Sequence, residues 1–169
     1  MSVVTGNRGT ATTPRRLVLV RHAKAVSDSG GSDRARVLTD RGRKDASGVG
    51  GWLRGRLPHI DAVWSSSAVR AEQTFEALAA NLTDAPRPDL LDALYDAGPD
   101  DLLEMAREAD DSTRVLLVVG HNPTIERVQA WLSGDDRGFP AGAVAIIEFD
   151  GSWADLQPGE GRLVDFTVP

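Results

Sequence analysis

No cysteine occurs among the 169 residues, which excludes disulfides, thiolate nucleophiles and cysteine-held zinc or iron–sulfur centres. Histidine is scarce, with His22, His59 and His121 the only three. No apolar run is long enough to span a bilayer, and neither a solenoid-like repeat nor a long low-complexity run is present. Acidic residues outnumber basic ones, 25 to 19, for a net charge of −6; that balance argues against a broad nucleic-acid surface. The segment Met1–Pro14 is rich in Thr, Gly and Arg and has no apolar core, so it reads as a mobile tail and not as a secretory signal or membrane helix. Residues 15–169 fit one domain, with a hydrophobic content of 41% that is ordinary for a compact soluble protein. The cytoplasm is the default location.

Two apolar runs end in the same way. Leu17-Val18-Leu19-Val20 leads into Arg21-His22-Ala23-Lys24, and Val115-Leu116-Leu117-Val118-Val119 leads into Gly120-His121-Asn122-Pro123. Short apolar runs bounded by polar residues read as buried strands. Each histidine therefore falls at the C-terminal end of a strand, where open α/β sheets place their ligands. Either histidine alone reads better as a loop or satisfied core residue; the pair, at equivalent positions and together with the motif that follows, points to a site.

A third strand-like piece, Asp61-Ala62-Val63-Trp64, runs into Ser65-Ser66-Ser67-Ala68-Val69-Arg70. The serines are good N-caps, and Ala71, Phe75, Leu78 and Leu82 recur at helical spacing, which predicts a helix with Arg70 in its first turn. Helix N-termini favour anions, and a guanidinium there adds a planar fork of donors suited to phosphate oxygens.

Arg21-His22, Ser66 with Arg70-Ala71-x-Gln73-Thr74, and Gly120-His121-Asn122-Pro123 together resemble the histidine phosphatase superfamily, whose fold is phosphoglycerate-mutase-like. Within it, the chain is most similar to the small SixA-type phosphohistidine phosphatases, over roughly residues 15 to 150. Asp33-Arg34-Ala35-Arg36-Val37-Leu38-Thr39-Asp40-Arg41-Gly42 is similar to the family's loop and N-cap into its first helix. One departure is Ala23, where the family commonly has glycine; its Cβ limits positive φ, so the backbone there is expected in an ordinary region.

The elements expected are a strand at 17–20, a helix near 40–54, a strand at 61–64, a helix at 67–82, a short segment around 90–95, a helix at 100–109, a strand at 115–119, a helix at 123–132, a strand at 143–149 and a final strand near 162–168. Loops are marked at 27–32, 84–88 and 134–142. The alternation predicts a three-layer α/β/α sandwich with a mainly parallel central sheet, and Asp150-Gly151 suggests an antiparallel edge. Asn122 and Pro123 would cap and start the helix after His121.

The resemblance implies a phosphate pocket of Arg21, His22, Arg70 and His121. His22 would be the nucleophile, since a neutral imidazole nitrogen attacks phosphorus well, and Arg21 and Arg70 would clamp the phosphoryl oxygens. His121, protonated beside bound phosphate, would donate a further hydrogen bond. Lys24 and Arg36 add local positive charge. No metal or other cofactor is implied, because the arginines would repel a cation. Larger members of the superfamily carry an acidic proton donor in the stretch matching Leu91-Asp92-Ala93-Leu94-Tyr95-Asp96. No glutamate stands there; Asp96 is the nearest candidate and Asp92 the weaker one. A missing acid favours phosphohistidine or aryl phosphates as substrates, because these leave without enzymic protonation. The expected partner is thus a phosphorylated protein. Small phosphorylated metabolites acted on as esters, and a domain that binds phospho-ligands without turnover, are the alternatives. His59 is expected to be structural, and Trp52, Trp64, Trp131 and Trp153 to be core or interface anchors.

Overall fold

The computed structural model describes residues 13–27 and 30–169; the expected tail thus lies outside the described residues up to position 12. Four strands run parallel in one six-stranded sheet: β1 (Arg15–Arg21), β2 (Ala62–Ser66), β3 (Asp89–Leu91) and β4 (Val115–Gly120). β5 (Val144–Phe149) pairs antiparallel with β1, and β6 (Arg162–Thr167) antiparallel with β5, in the spatial order β3-β2-β4-β1-β5-β6. The helices are α1 (Asp40–Arg54), α2 (Val69–Ala79), α3 (Asp92–Asp96), α4 (Pro99–Arg107) and α5 (Thr124–Ser133).

Why both faces of the sheet are covered is visible in the central strands. β1 and β4 are apolar at every position from Leu17 to Val20 and from Leu116 to Val119, the pattern of strands buried on both sides. Successive side chains point to opposite faces. Leu17, Leu19, Leu116 and Val118 pack with Leu102, Leu103 and Ala106 of α4 and Ile125, Val128 and Leu132 of α5. Val18, Val20, Leu117 and Val119 pack with Val49 and Leu53 of α1 and Phe75 and Leu78 of α2. The result is the three-layer α/β/α arrangement, and the antiparallel edge comprises β5 and β6.

Glycine settles two close approaches. A Cβ at Gly42, in the first turn of α1, would lie 2.2 Å from the Lys24 carbonyl oxygen, and one at Gly50 would lie 2.0 Å from that of Leu78. The first holds α1 against the backbone just past β1; the second lets α1 and α2 pack closely. Thr39 caps α1 by accepting from Gly42 N at 2.9 Å.

Several boundaries differ from expectation: β1, β2 and α4 by a residue or two at their ends, and three others by more or with a visible cause. The helix expected at 67–82 is shorter, Val69–Ala79, because Ser66 ends β2 and Ala68 takes the cap position without a side-chain bond. The segment at 90–95 divides into β3, which pairs with β2, and the single-turn α3. α5 starts at Thr124, one residue after Pro123, although Asn122 Oδ1 still accepts from Glu126 N at 3.3 Å. Trp153 is a core anchor whose indole N–H donates to the Thr113 carbonyl at 2.7 Å. Trp64 is partly buried against the same core, Trp52 lies under the Arg56 guanidinium, and Trp131 is exposed.

Candidate active site

Strand register brings the two histidines together. β1 lies beside β4 with Arg21 opposite Gly120, so the residues that follow, His22 and His121, leave adjacent strand ends. His22 N donates to Gly120 O at 3.0 Å, and the two imidazole centroids are 5.2 Å apart. On the other side of β4, Ser65 is opposite Val119, which sets Ser66 next to His121. Arg70 then comes from the first turn of α2, directly after β2. Arg21, His22, Arg70 and His121 therefore converge at the C-terminal edge of the parallel strands.

His22 is buried, and its Nδ1–H donates to the Ala23 carbonyl at 2.8 Å. That bond places the proton on Nδ1 and leaves the Nε2 lone pair free. Burial lowers the pKa of the ring to about 4; the Ala23 carbonyl opposes the shift, and the positive charge of Arg70 and Arg21 adds to it. The imidazole is thus neutral at pH 7. The backbone behind it is pinned by Thr74 Oγ1, which accepts from Ala23 N at 2.9 Å and donates to Arg70 O at 2.6 Å. Ala23 has no positive φ, the ordinary conformation expected of an alanine at this position. Gln73 Oε1, from the same turn of α2, accepts from Leu38 N at 2.9 Å.

The His121 ring is held from two sides. Arg70 Nη2 approaches its Nδ1 at 3.5 Å, and its Nε2 is 2.7 Å from Ser66 Oγ. A guanidinium can only donate, so Nδ1 is the bare nitrogen and Nε2–H donates to the serine. Burial first, and Arg70 second, lower the His121 pKa to about 4, so this ring is also neutral in the absence of a bound anion. A phosphoryl dianion between the guanidinium groups would reverse that bias and favour a second N–H, on Nδ1, donating to a phosphoryl oxygen. Ser66 appears in sequence as a helix cap, but in the fold it orients His121 and also accepts from Ala68 N at 3.2 Å.

The Arg70 side chain is only 8% exposed. Its Nη1 donates to Asp33 O at 2.8 Å and its Nη2 to Asp33 Oδ2 at 3.1 Å, while Nε is buried without a partner. Arg21 Nε is likewise buried and unpaired, with Nη1 on the Phe139 carbonyl at 3.0 Å. Burial lowers the Arg21 pKa and Glu126 opposes the shift. Asn122 supports this corner, with its Nδ2 donating to Phe139 O at 2.9 Å and Glu126 Oε2 at 3.0 Å. A buried and a half-buried guanidinium, each with an unspent Nε–H, beside a neutral imidazole make a site suited to an anion with several oxygens.

Two residues of this cluster stand outside the sequence reading of the site, Asp33 and Tyr95. The Tyr95 hydroxyl donates to Asp33 Oδ2 at 2.6 Å, and its ring meets His121 edge-on at 5.7 Å. That hydrogen bond, with the charges of Arg70 and Arg36, holds the Asp33 carboxyl below the usual range, and the same bond raises the Tyr95 hydroxyl. Asp92 is held low by Ser67 and Arg34, which bind its Oδ1 at 2.6 and 2.7 Å. Arg34 also stacks over the Tyr95 ring at 4.4 Å. Asp96 is exposed at the end of α3 and lines an outer groove with Asp101, Glu104 and Glu108; no hydrogen bond or ion pair joins it to the convergent four among the described residues. Lys24 is exposed beside His22, and Arg36 reaches Asp33 Oδ1 at 3.3 Å. His59 is exposed before β2, paired with Asp61 at 3.1 Å.

Comparison with known proteins places the chain in a family. The family model of the histidine phosphatase superfamily (branch 1) matches residues 17–97. The chain is 40% identical over 161 residues to an uncharacterised protein of Mycobacterium tuberculosis, covering 89% of this chain and 99% of that one. A structure assigned as the phosphohistidine phosphatase SixA of Nakamurella multipartitia superposes with a TM-score of 0.83 at 34% identity, covering 94% of this chain and 98% of that one. The protein histidine phosphatase SixA in complex with tungstate gives a TM-score of 0.73 at 26% identity, covering 90% and 96%. The chain belongs to the histidine phosphatase superfamily. It is a phosphatase, and SixA-type proteins are among its structural relatives.

Proposed function

We propose that the chain hydrolyses phosphohistidine on a protein, with His22 as the nucleophile. The observation that carries this reading is the state of the carboxyl groups at the mouth of the site. Asp33 and Asp92 are both held ionised by hydrogen-bond donors, and Asp96 stands apart. An alkoxide leaves poorly without a proton donor, whereas a phosphorylated imidazole already protonated on its distal nitrogen departs as a neutral ring. The SixA relatives, assigned to phosphohistidine, support the same choice.

In this reading the neutral Nε2 of His22 attacks phosphorus and the substrate's imidazole leaves. Arg21, Arg70 and His121 take the phosphoryl oxygens, with the Arg70 bonds to Asp33 giving way to the phosphoryl group. Water then attacks the phosphorus of phospho-His22. Because its Nδ1–H remains on the Ala23 carbonyl, His22 also leaves as a neutral ring. The test is a substrate panel under identical conditions: a phosphohistidine-bearing protein, an aryl phosphate and alkyl phosphates. Phosphohistidine and the aryl ester should react well and alkyl esters poorly. Efficient alkyl ester hydrolysis, abolished by Asp96→Asn, would instead identify a small-ester phosphatase with Asp96 as its acid.

A further inference from the structure

In-line displacement fixes where the leaving group must lie. His22 forms the buried floor of the site, so a group departing opposite its Nε2 points outward, toward solvent. On the solvent side of Arg70 and His121 stand Asp33, 3.1 Å from Arg70 with its side chain 49% exposed, and Tyr95, half-buried, whose ring meets His121 at 5.7 Å. Both come from segments that do not supply the phosphate-binding residues: the 3₁₀ turn Asp33–Ala35 and α3. We propose that Asp33 and Tyr95 form a leaving-group subsite that selects a phosphorylated imidazole, with the Asp33 carboxylate accepting the N–H of its distal nitrogen. This deepens the phosphohistidine reading above and rests on it.

The proposed reaction is symmetric, since it passes a phosphoryl group from one imidazole to another. On the enzyme's side, the distal nitrogen of His22 has an oxygen acceptor, the Ala23 carbonyl at 2.8 Å. The substrate's ring needs the same on the opposite side if it is to keep its distal proton until the P–N bond breaks. Asp33 is the oxygen acceptor that stands beside Arg70 and His121 on the exposed side of the site. It faces Arg70 from α2, Tyr95 from α3 and Arg36 from its own segment, and it is close enough to His121 to act on that ring's charge. When phosphoryl oxygens take over Arg70, Oδ2 gives up its 3.1 Å bond to that guanidinium but keeps the Tyr95 hydroxyl at 2.6 Å, which holds the carboxylate in place with lone pairs free.

The chemical step balances without an external proton donor. A bond forms from His22 Nε2 to phosphorus as the P–N bond to the substrate's ring breaks. The bonding pair stays on the departing nitrogen, and the proton on that ring's other nitrogen stays where it is, hydrogen-bonded to Asp33. The ring leaves neutral. An aryl or alkyl phosphate ester has no such N–H and presents only acceptor oxygens, which the carboxylate repels. Asp33 thus discriminates between N–P and O–P substrates by favouring one and disfavouring the other.

The test compares kcat/KM for phosphoimidazole and for p-nitrophenyl phosphate in the wild-type chain, Asp33→Asn and Tyr95→Phe. The ratio of the first to the second should fall at least about tenfold in Asp33→Asn, the scale of one hydrogen bond to a charged group. That fall should combine a loss on phosphoimidazole with a lower KM for the ester, since the carboxylate no longer competes for Arg70. Tyr95→Phe should move the ratio in the same direction by less. A ratio that changes less than about threefold in Asp33→Asn, whether both rates drop together or neither does, overturns the inference and leaves Asp33 as a support for Arg70. Failure of the phosphohistidine reading itself would show separately, as a wild-type chain that turns over the aryl ester but not phosphoimidazole.

Discussion

The Ala23 carbonyl, 2.8 Å from His22 Nδ1, gives that ring a single tautomer and leaves Nε2, the nitrogen proposed to attack, with its lone pair free. Around it the charged groups act through geometry more than through number. Arg70 holds two donors on a carbonyl and a carboxylate in the same residue, a fork that an ammonium cannot reproduce. Arg70→Ala and His121→Ala should each lower kcat/KM with an aryl phosphate by on the order of a hundredfold or more while the fold persists. Arg70→Lys should recover little of that loss, and a lysine variant with wild-type kinetics would show that planar recognition is not used. Most of these residues could be read from sequence, because two histidines and an arginine stand directly after apolar runs or open a helix. Asp33 and Ser66 could not be read in their present roles. In sequence, aspartate before a turn and serine before a helix both look like caps; only the crossing of separate segments puts one on Arg70 and the other on His121. Tyr95, the sole tyrosine of the chain, carried no local pattern to mark it.

Elements were legible to the extent that their apolar period was strong. β1, β4 and β5 follow from runs that are buried on both faces, and α1 from its Thr39 cap and its Asp40 to Arg54 span. The piece around 90–95 was not resolved into β3 and α3, because a three-residue strand and a single helical turn are set by pairing with β2 and by the Ser67–Asp92 bond, not by local periodicity. The packing of α1 against the site has its own test. A methyl group at Gly42 would collide with the Lys24 carbonyl, which is backbone and cannot swing aside. Gly42→Ala should therefore destabilise the protein by roughly 1–3 kcal/mol, the usual scale of overpacking, and lower activity by shifting the peptide two residues beyond His22. Urea unfolding together with steady-state kinetics measures both; unchanged stability would mean that α1 can move away without consequence.

At the scale of the whole molecule, the site histidines tie stability to pH. Both have folded-state pKa values of about 4, against about 6.5 for an exposed ring. The unfolded chain therefore takes up protons first as the pH falls. The stabilisation is fully present above about pH 6.5 and is lost progressively toward pH 4, with a slope of at most about 1.4 kcal/mol per pH unit for His22 and less for the partly exposed His121, where water screens the charge. Urea midpoints between pH 7 and 4.5 should fall accordingly, and a flat or rising profile would contradict the burial of these rings. The same burial keeps the His22 ring neutral at pH 7, the state that the proposed nucleophile requires. The most direct test of that role is rapid quench of the enzyme turning over a phosphorus-labelled aryl phosphate, followed by peptide mapping. A phosphoenzyme that is acid-labile and base-stable is expected, carried on His22 and absent from His22→Ala, which should have lost turnover. Label on another residue, or near-normal turnover in His22→Ala, would contradict that role.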